Sequence, residues 1–534
     1  MKGGFRQSMA WVHTWAGLTL GWVLFFMFVT GTAGYFDTEI DRWMQPELPM
    51  AQHDTPATDV AAMGTSLLED EAPDAARWVI TLPIDRNEPY PRRFWQGADP
   101  EAGAVAASGN ERFDATTGEP FNARATGGGQ LLYQMHWRLH YLPRAVSDWL
   151  IGLATMFMLV AITTGIIIHK KIFKDFFTFR PGKGQRSWLD AHNVLSVLAL
   201  PFHVMITYSG LIFMAFAYMP LVIAAIYGTD PEARQTAAQE VFSVPAVERS
   251  GESAPLTPLA PLIDSAEERW GPGVLRHVDI HHPGDRNAVI ILRASHAQGP
   301  VRSGEELHFD GVSGELIDTV PAITSAPQAV WTTLLGLHEG LFAGPVLRWL
   351  YFFFGLLGTA MVGTGLVLWT VKRRQQAERK ADGSHRGLVL VERLNPGMVA
   401  GLFTAVAAYF WANRLMPSDF PAREAWEAHA LFLTWLVVLV ASAARPPSRA
   451  WREQFALAGA AFASLPLLNL ITTERHLGAS LAAGDWPLAG FDLTALGLGA
   501  ILAIVAWKLA RRAHAQDRAR AEATASHTHV EANS

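Results

Sequence analysis

Seven histidines lie in or beside the first four long apolar segments of this 534-residue chain. They are His13, His136, His140, His169, His192, His203 and His338. An imidazole in hydrocarbon costs free energy unless both of its ring nitrogens have partners. A b-type haem satisfies both, because iron takes one nitrogen while a nearby acceptor binds the other. We therefore interpret these residues as candidate axial ligands of two b-type haems.

The composition narrows the possible cofactors. The chain has no cysteine, which excludes covalently attached c-type haem, iron–sulfur clusters and thiolate zinc sites. Hydrophobic residues make up 50% and charged residues 17%, which suits a membrane protein with sizeable polar parts. Two histidines on each iron leave no open coordination position, so the pattern favours electron transfer, with no catalytic side chain.

The elements that must position these histidines are membrane-spanning helices. Eight apolar segments are long enough, or nearly so, to cross a bilayer. Lys and Arg cluster at 170–189 and 371–396, which predicts that these loops and both termini are cytoplasmic. The eight segments span about 11–34, 147–169, 190–219, 346–370, 397–414, 428–444, 454–472 and 489–509.

Two long polar segments with short β-like runs separate the first four helices and predict two outer α+β domains. The fold class is therefore a polytopic α-helical membrane protein with two such domains. The predicted divisions are 1–34 for the first helix, 35–145 for the first outer domain, 146–219 for helices two and three with a basic loop, 220–345 for the second outer domain, 346–371 for helix four, 372–396 for a cytoplasmic loop, 397–512 for a four-helix region and 513–534 for a disordered tail.

An internal repeat relates the two halves of this arrangement. His13 precedes Gly31 by 18 residues, and His192 precedes Gly210 by the same 18. The outer segments contain "FDATTGEP" from Phe113 and "FDGVSGEL" from Phe309, which we interpret as tight turns with glycine at a positive φ. The predicted unit is a helix, an outer domain, a short interfacial helix and a second helix, and it occurs twice.

The repeat suggests one way to pair the ligands. His13 with His192 would bind a haem near the basic ends of the helices, and His140 with His338 would bind a second haem near the opposite ends.

A competing set uses His169 and His203, which have no histidine counterpart in the other half. His203 follows His192 by 11 residues, close to three helical turns, so the two share a helix face about 16 Å apart. His136 lies four residues before His140 and is a spare ligand. Each histidine can alternatively serve as a hydrogen-bonding residue in helix packing.

The motifs also resemble a known family. A helix with "H-x-W-x-G" at His13, an outer segment ending "FD-x-x-x-GE", then "LH" and a membrane helix ending "TG" resemble the PepSY-associated transmembrane family over about residues 1–375. The run "HKKIFKDFFTFRPGKGQRSWLDAHN" from His169 is similar to the branch that contains FoxB-type ferrisiderophore reductases of the bacterial inner membrane.

This resemblance implies two PepSY-like periplasmic domains and a haem-containing reductase that passes electrons from the cytoplasmic side to a ferric siderophore in the periplasm. Reduction of Fe³⁺ to Fe²⁺ weakens binding by hard oxygen donors and releases the iron. No G-x-G-x-x-G after a strand and no Walker loop occur, so the expected electron donor is a cytoplasmic flavin reductase, reduced flavin or membrane quinol. No nucleic-acid partner is expected.

Two other functions stay open. One is a transporter that moves the iron–siderophore complex inward, since transporters often contain internal repeats. The other is a membrane-anchored PepSY binding or regulatory module without redox activity. An absorption spectrum of the pure protein separates the reductase from both, because only the reductase requires haem.

Overall fold

The computed structural model describes residues 4–532 apart from 52, 98–107, 170–173, 175, 177, 215–223, 226, 230–232, 234–247 and 381–385. The chain divides into two compact units. The membrane unit consists of Met1–Pro46, Arg124–Thr207 and Leu350–Ser534, and the sheet unit of Glu47–Ala123 and Tyr208–Trp349.

Helices dominate the described part of the chain. In chain order they are α1 (Phe5–Thr19), α2 (Gly21–Gly34), α3 (Asp37–Met44), α4 (Ala57–Glu71), α5 (Gly128–Trp137), α6 (Arg144–Ile168), α7 (Gln185–Leu198), α8 (Leu200–Phe213), α9 (Ala260–Trp270), α10 (Ala326–Glu339), α11 (Pro345–Lys380), α12 (Arg386–Asn395), α13 (Gly401–Leu415), α14 (Arg423–Ala443), α15 (Pro447–Ala463), α16 (Leu465–Thr472), α17 (Leu477–Ala483) and α18 (Trp486–Ala532).

The apolar helices agree with a multi-pass membrane protein. Six described helices are long and apolar enough to cross a membrane, and the number rises to eight if each of two bent helix pairs is one span. The predicted helical membrane-protein class is confirmed, and its eight helices correspond to counting each bent pair once. The six are Arg144–Ile168, Pro345–Arg379, Arg386–Leu415, Arg423–Ala443, Pro447–Thr472 and Trp486–Arg518.

The first and third predicted spans are not straight helices. Helices α1 and α2 meet at 63° and helices α7 and α8 at 69°. The second bend has a local cause, because Pro201 lacks the N–H that would continue the helical hydrogen bonds. At the first bend Gly21 allows a close approach, since a Cβ there would lie 2.8 Å from a methyl carbon of Leu366.

The two predicted outer domains share one sheet, which corrects the division into separate domains. Among the described residues, seven antiparallel strands follow the order β3-β2-β1-β4-β5-β6-β7. The halves join where Trp78 pairs with Ile280, and this pairing leaves neither half with a free strand edge at the junction. The strands are β1 (Arg77–Thr81), β2 (Arg92–Gln96), β3 (Gly109–Arg112), β4 (Leu275–His281), β5 (Val289–Ala294), β6 (Glu306–Asp310) and β7 (Leu316–Val320).

The two sheet faces differ because side chains alternate along a strand. One face is an apolar core with residues of α4 and α9, and it includes Trp78, Ile80 and Ile290. On the other face the buried carboxylate of Asp279 binds the guanidinium groups of Arg77 at 2.6 Å and Arg293 at 2.7 Å. The buried charge of Asp279 is tolerated inside the sheet unit because it is paired with these two cations.

The repeated turns form as predicted. Gly118 and Gly314 both have φ of 74°, in the left-handed region that favours glycine. In each turn an aspartate accepts a backbone N–H two residues on, Asp114 from Thr116 at 2.8 Å and Asp310 from Val312 at 3.0 Å.

The C-terminal tail differs from its prediction. Residues 513–532 continue helix α18 instead of forming a disordered segment. The segment "AQDRARAEATA" is rich in Ala, Arg and Glu, which have high helix propensity, so the preceding span can extend without a break.

Candidate functional site

His13 on α1 and His192 on α7 face each other inside the membrane unit. Their ring centres are 6.3 Å apart and the ring planes meet at 71°. Each histidine lies seven residues before the residue at which its helix pair bends, Leu20 in one case and Ala199 in the other. The two histidines that the repeat pairs first are therefore neighbours in space.

Both rings are held in the same way. Nδ1 of His13 lies 2.8 Å from the carbonyl oxygen of Ala161, and Nδ1 of His192 lies 2.9 Å from that of Met361. A carbonyl oxygen only accepts hydrogen bonds, so Nδ1 must carry the hydrogen in both rings. Nε2 is then the nitrogen with a free lone pair, the form in which a neutral imidazole binds a metal.

Two glycines make room for these rings. A Cβ on Gly165 would lie 3.3 Å from Cε1 of His13, and one on Gly365 would lie 3.2 Å from Cε1 of His192. Both distances are tighter than ordinary van der Waals contact. The sequence identifies these glycines only as markers of the repeat, although the preceding Thr164 and Thr364 form a repeated T-G pair that signals their common role.

A cavity of about 280 Å³ lies beside the two rings. Its histidines are His13, His169, His192 and His203, and most of its other lining residues are apolar, among them Leu24, Met158, Ile162, Val197 and Leu366. A mainly apolar cavity with a few converging polar groups is the usual form of a small-molecule or cofactor site.

His203 is the most deeply buried of these histidines, with 1% of its surface exposed. Neither of its ring nitrogens makes a hydrogen bond of normal geometry with a described residue. Its ring packs edge-on to Phe28, with 6.2 Å between ring centres. A buried imidazole without hydrogen bonds costs free energy. A ligand in the cavity that bonded to one of these ring nitrogens would remove part of that cost.

His169 is placed differently. Its Nε2 lies 2.7 Å from the side-chain amide nitrogen of Asn193, which donates to it. This nitrogen is therefore occupied, and the described contacts favour His13 with His192 over the competing set of His169 and His203 as a facing pair.

In the structure, the histidine whose position corresponds to that of His338 is His136. His136 and His338 are each the second-last residue of a short helix, α5 and α10, and each lies seven residues before a proline that precedes or begins the next helix. His140 lies in the loop after α5. By position in the helix His136, and not His140, corresponds to His338, whereas the predicted match of His140 with His338 counted from a distant turn across segments of unequal length.

The surroundings of the two histidines agree with this correction. Nδ1 of His136 lies 2.7 Å from the carbonyl oxygen of Met27, and a Cβ on Gly31 would overlap the His136 ring. In the sheet unit, Nδ1 of His338 lies 2.9 Å from the hydroxyl oxygen of Ser209, the residue before Gly210. Gly31 and Gly210 are the glycines that the repeat relates.

His140 has a packing role. Its ring stacks on Phe432, with 5.7 Å between ring centres and planes 12° apart. The neighbouring Tyr141 hydroxyl bonds Nδ1 of His429 at 2.6 Å. These contacts attach the loop to helix α14, in the C-terminal region.

Comparison with known proteins agrees with the sequence motifs. The model of the PepSY-associated TM region matches residues 10–372. The chain is also similar to the uncharacterized protein PA4219 of Pseudomonas aeruginosa, with 26% identity over 406 residues that cover 72% of this chain and 95% of that protein. The family model includes every candidate histidine and ends before the C-terminal helices. The chain belongs to the PepSY-associated transmembrane family.

Proposed function

We propose that this protein is a haem b reductase of the bacterial inner membrane. It passes electrons from the cytoplasmic side to a ferric siderophore in the periplasm and releases the iron as Fe²⁺. The resemblance to FoxB-type ferrisiderophore reductases supports the substrate class, and the arrangement of histidines supports the cofactor.

The facing pair His13 and His192 carries the proposal. Metal–imidazole bonds are about 2 Å long, so two imidazoles on opposite sides of one iron have ring centres roughly 6 Å apart. The observed 6.3 Å fits that separation, and both Nδ1 atoms already have acceptors. The residues present therefore fit a haem, with Nε2 of each histidine as the ligand atom.

A bound haem would supply one-electron chemistry. The side chains around it orient and shield that group. The carbonyls of Ala161 and Met361 fix the tautomer and angle of the two rings, and Gly165 and Gly365 allow the rings to approach their helices. The apolar lining excludes water, which reduces the reorganisation that accompanies a change of iron charge.

A second haem has fewer supporting observations. Within the membrane unit, His136 has the same combination of a bound Nδ1 and a glycine beneath its ring, and His203 has two nitrogens without normal hydrogen bonds. We propose His136 in place of His140 as a ligand, and His338 keeps its place as a candidate in the sheet unit.

Spectra of histidine variants test the cofactor. The protein is purified from a host supplied with a haem precursor and reduced with dithionite. We expect split α and β bands and about two haems per chain, with one haem lost in His13→Ala and in His192→Ala. His53→Ala, in the sheet unit, is the matched control and retains both haems. Full haem content in both cavity variants would refute the assignment.

A second measurement tests the activity. Protein reduced without oxygen is mixed with a ferric siderophore in the presence of a chelating dye for Fe²⁺. The reductase proposal requires that the haem α band disappear as the dye complex forms, with one electron per iron. A protein that stays reduced on mixing is not a ferric siderophore reductase.

One observation favours the transporter alternative. Both helices that carry the facing histidines are interrupted, at Leu20 and at Ala199, and interrupted helices in corresponding halves are typical of transporter sites. Uptake of a labelled ferric siderophore into proteoliposomes without an electron donor distinguishes the two functions. Accumulation of the intact complex supports transport and contradicts the reductase.

A further inference from the structure

The cavity beside His13 and His192 is called the histidine cavity below. A second hollow of about 450 Å³ lies next to it in the membrane unit. It is polar where the histidine cavity is apolar, and it is formed by residues 180–193 of the loop before α7 and of α7 itself, with contributions from His169 and Gln375.

The two hollows have a common wall. His169, Leu189 and Asn193 line both of them. The bond between Asn193 and Nε2 of His169, at 2.7 Å, lies in this wall. A ligand that fills the histidine cavity therefore lies against the residues that also line the polar hollow.

The charge of the hollow is positive. Its cations are Arg180, Lys183 and Arg186, and its carboxylate is that of Asp190. Arg180 already binds Asp190 through two nitrogens, each 2.8 Å from a carboxylate oxygen. Lys183 and Arg186 have no ion pair with any residue that the structure describes, and Lys372 adds a further cation to the lining of the histidine cavity.

We propose that the polar hollow binds the two propionate groups of the haem whose iron His13 and His192 hold. Haem is an apolar ring with two carboxylates on one edge, and the adjoining hollows offer an apolar cavity with Lys183 and Arg186, which have no ion pair with a described residue, on one side. Charge-assisted bonds from Lys183 and Arg186 would satisfy those carboxylates. Positive-inside topology accounts for basic loops in general, but it does not account for a basic hollow that shares three lining residues with the histidine cavity.

This inference rests on the proposed function and adds to it the orientation of the haem in the cavity. The propionate edge of the haem would face the loop at 178–184, so an electron donor that docks there would approach the haem at that edge. Lys183 and Arg186 are positioning residues for the cofactor and take no part in ligating the iron.

A comparison of two haems tests the proposal without measuring activity. The full-length protein is produced in a host that cannot make haem and is titrated in detergent with haem b or with its dimethyl ester, which lacks the carboxylates. Soret absorbance reports binding. We expect haem b to bind roughly tenfold or more tightly than the ester, as charge-assisted pairs would provide.

The double variant Lys183→Gln/Arg186→Gln should lose this preference and bind the ester as the wild type does. Lys508→Gln/Arg512→Gln removes the same charge from α18 and should keep the preference, as should Lys183→Arg. Each variant is titrated with both haem b and the ester. A variant that fails to fold binds neither of them and is recognised by that result.

Equal binding of both haems by the wild type overturns the propionate site and leaves the reductase proposal standing, whereas binding of neither overturns the reductase proposal itself. A preference that disappears when phosphatidylglycerol is added to the detergent means that the hollow holds lipid phosphate, and this also overturns the inference.

Discussion

The guanidinium of Arg423 lies 2.5 Å from the carboxylate of Glu427, and neither side chain is exposed to solvent. Glu427 also accepts hydrogen bonds from the hydroxyl of Thr126 at 2.6 Å and the backbone N–H of Gly127 at 3.0 Å. These last two residues directly precede α5, which carries His136. The C-terminal region therefore holds the start of the helix that carries His136.

A second pair of contacts extends this network. Trp43 donates to Asp492 at 2.8 Å, and Arg42 binds Asp485 at 2.9 Å, so α3 is attached to α18 and the residue that precedes it. The C-terminal helices, which the family model does not include, thus bind two segments of the family region through buried polar groups.

Removing one partner of the Arg423–Glu427 pair should be strongly destabilising. We expect Glu427→Ala to cost about 3–5 kcal/mol, because it leaves a buried guanidinium unpaired, whereas Arg423→Met/Glu427→Leu should cost much less than the sum of the single changes. Thermal unfolding of the purified protein gives these values. Additive losses would mean that the two side chains are not energetically coupled.

Substitution of the cavity glycines should weaken haem binding. In Gly165→Ala and Gly365→Ala the new methyl group presses on the ring of His13 or His192, and we expect about tenfold weaker binding, or about 1.4 kcal/mol. Gly490→Ala on α18 is the control, since Gly490 does not line the cavity and a Cβ there meets no atom within 4 Å. Equal effects of all three substitutions would contradict ring displacement as the cause.

Replacing a proposed haem ligand by methionine should change the redox potential of that haem. Methionine–histidine ligation raises the potential of haem iron, so His13→Met and His192→Met should each shift one haem to a higher midpoint potential. Spectroelectrochemical titration measures both haems separately. His429→Met, outside the cavity, should leave both midpoint potentials unchanged. A shift of similar size in this variant would contradict the assignment of His13 and His192 as haem ligands.

His136 and His140 should differ in their effect on the second haem. His136→Ala removes the residue that has a fixed Nδ1, so we expect loss of one haem, while His140→Ala should keep full haem content and lose only packing against Phe432. Haem-to-protein ratios of the two variants decide the point. Loss of haem in His140→Ala alone would restore the pairing that the sequence suggests.

The sheet unit should lose stability as the pH falls below neutral. Burial, together with Arg276, Arg92 and Arg293, lowers the pKa of His277 to about 3, against the opposing effect of Asp279. The native state then stays unprotonated between about pH 6.5 and 3 while the unfolded chain takes up a proton. Stability therefore decreases with falling pH in this window, by at most about 1.4 kcal/mol for each pH unit.

His296 adds to the same effect. Burial and the nearby Arg276 and Arg302 lower its pKa to about 4, and Asp85 opposes this shift. Unfolding of the full chain between pH 7.5 and 4.5, followed by tryptophan fluorescence, measures the slope. In His277→Gln the free energy of unfolding should depend less steeply on pH, by the amount that corresponds to one proton. An unchanged slope would show that His277 is already protonated in the native state.

Local patterns in the sequence determined the class of the protein. Hydropathy marked the spans, because about 20 apolar residues suffice to cross a bilayer whatever their neighbours are. The repeated turns were predictable for a similar reason, since Asp114 and Gly118 act within a few residues of each other. The motifs around His13 and His169 indicated the family, and the repeat named His13 and His192 as one of two possible ligand sets.

The tertiary structure decided which residues meet. It brought His13 and His192 together across 179 positions, joined two polar segments into one sheet, and placed His136 at the helix position that His338 has in its own helix. It also formed the buried network around Glu427, which no pattern in the sequence indicates. These contacts depend on packing between helices and strands that are remote in the chain, and neither hydrophobic periodicity nor turn chemistry extends beyond a single element.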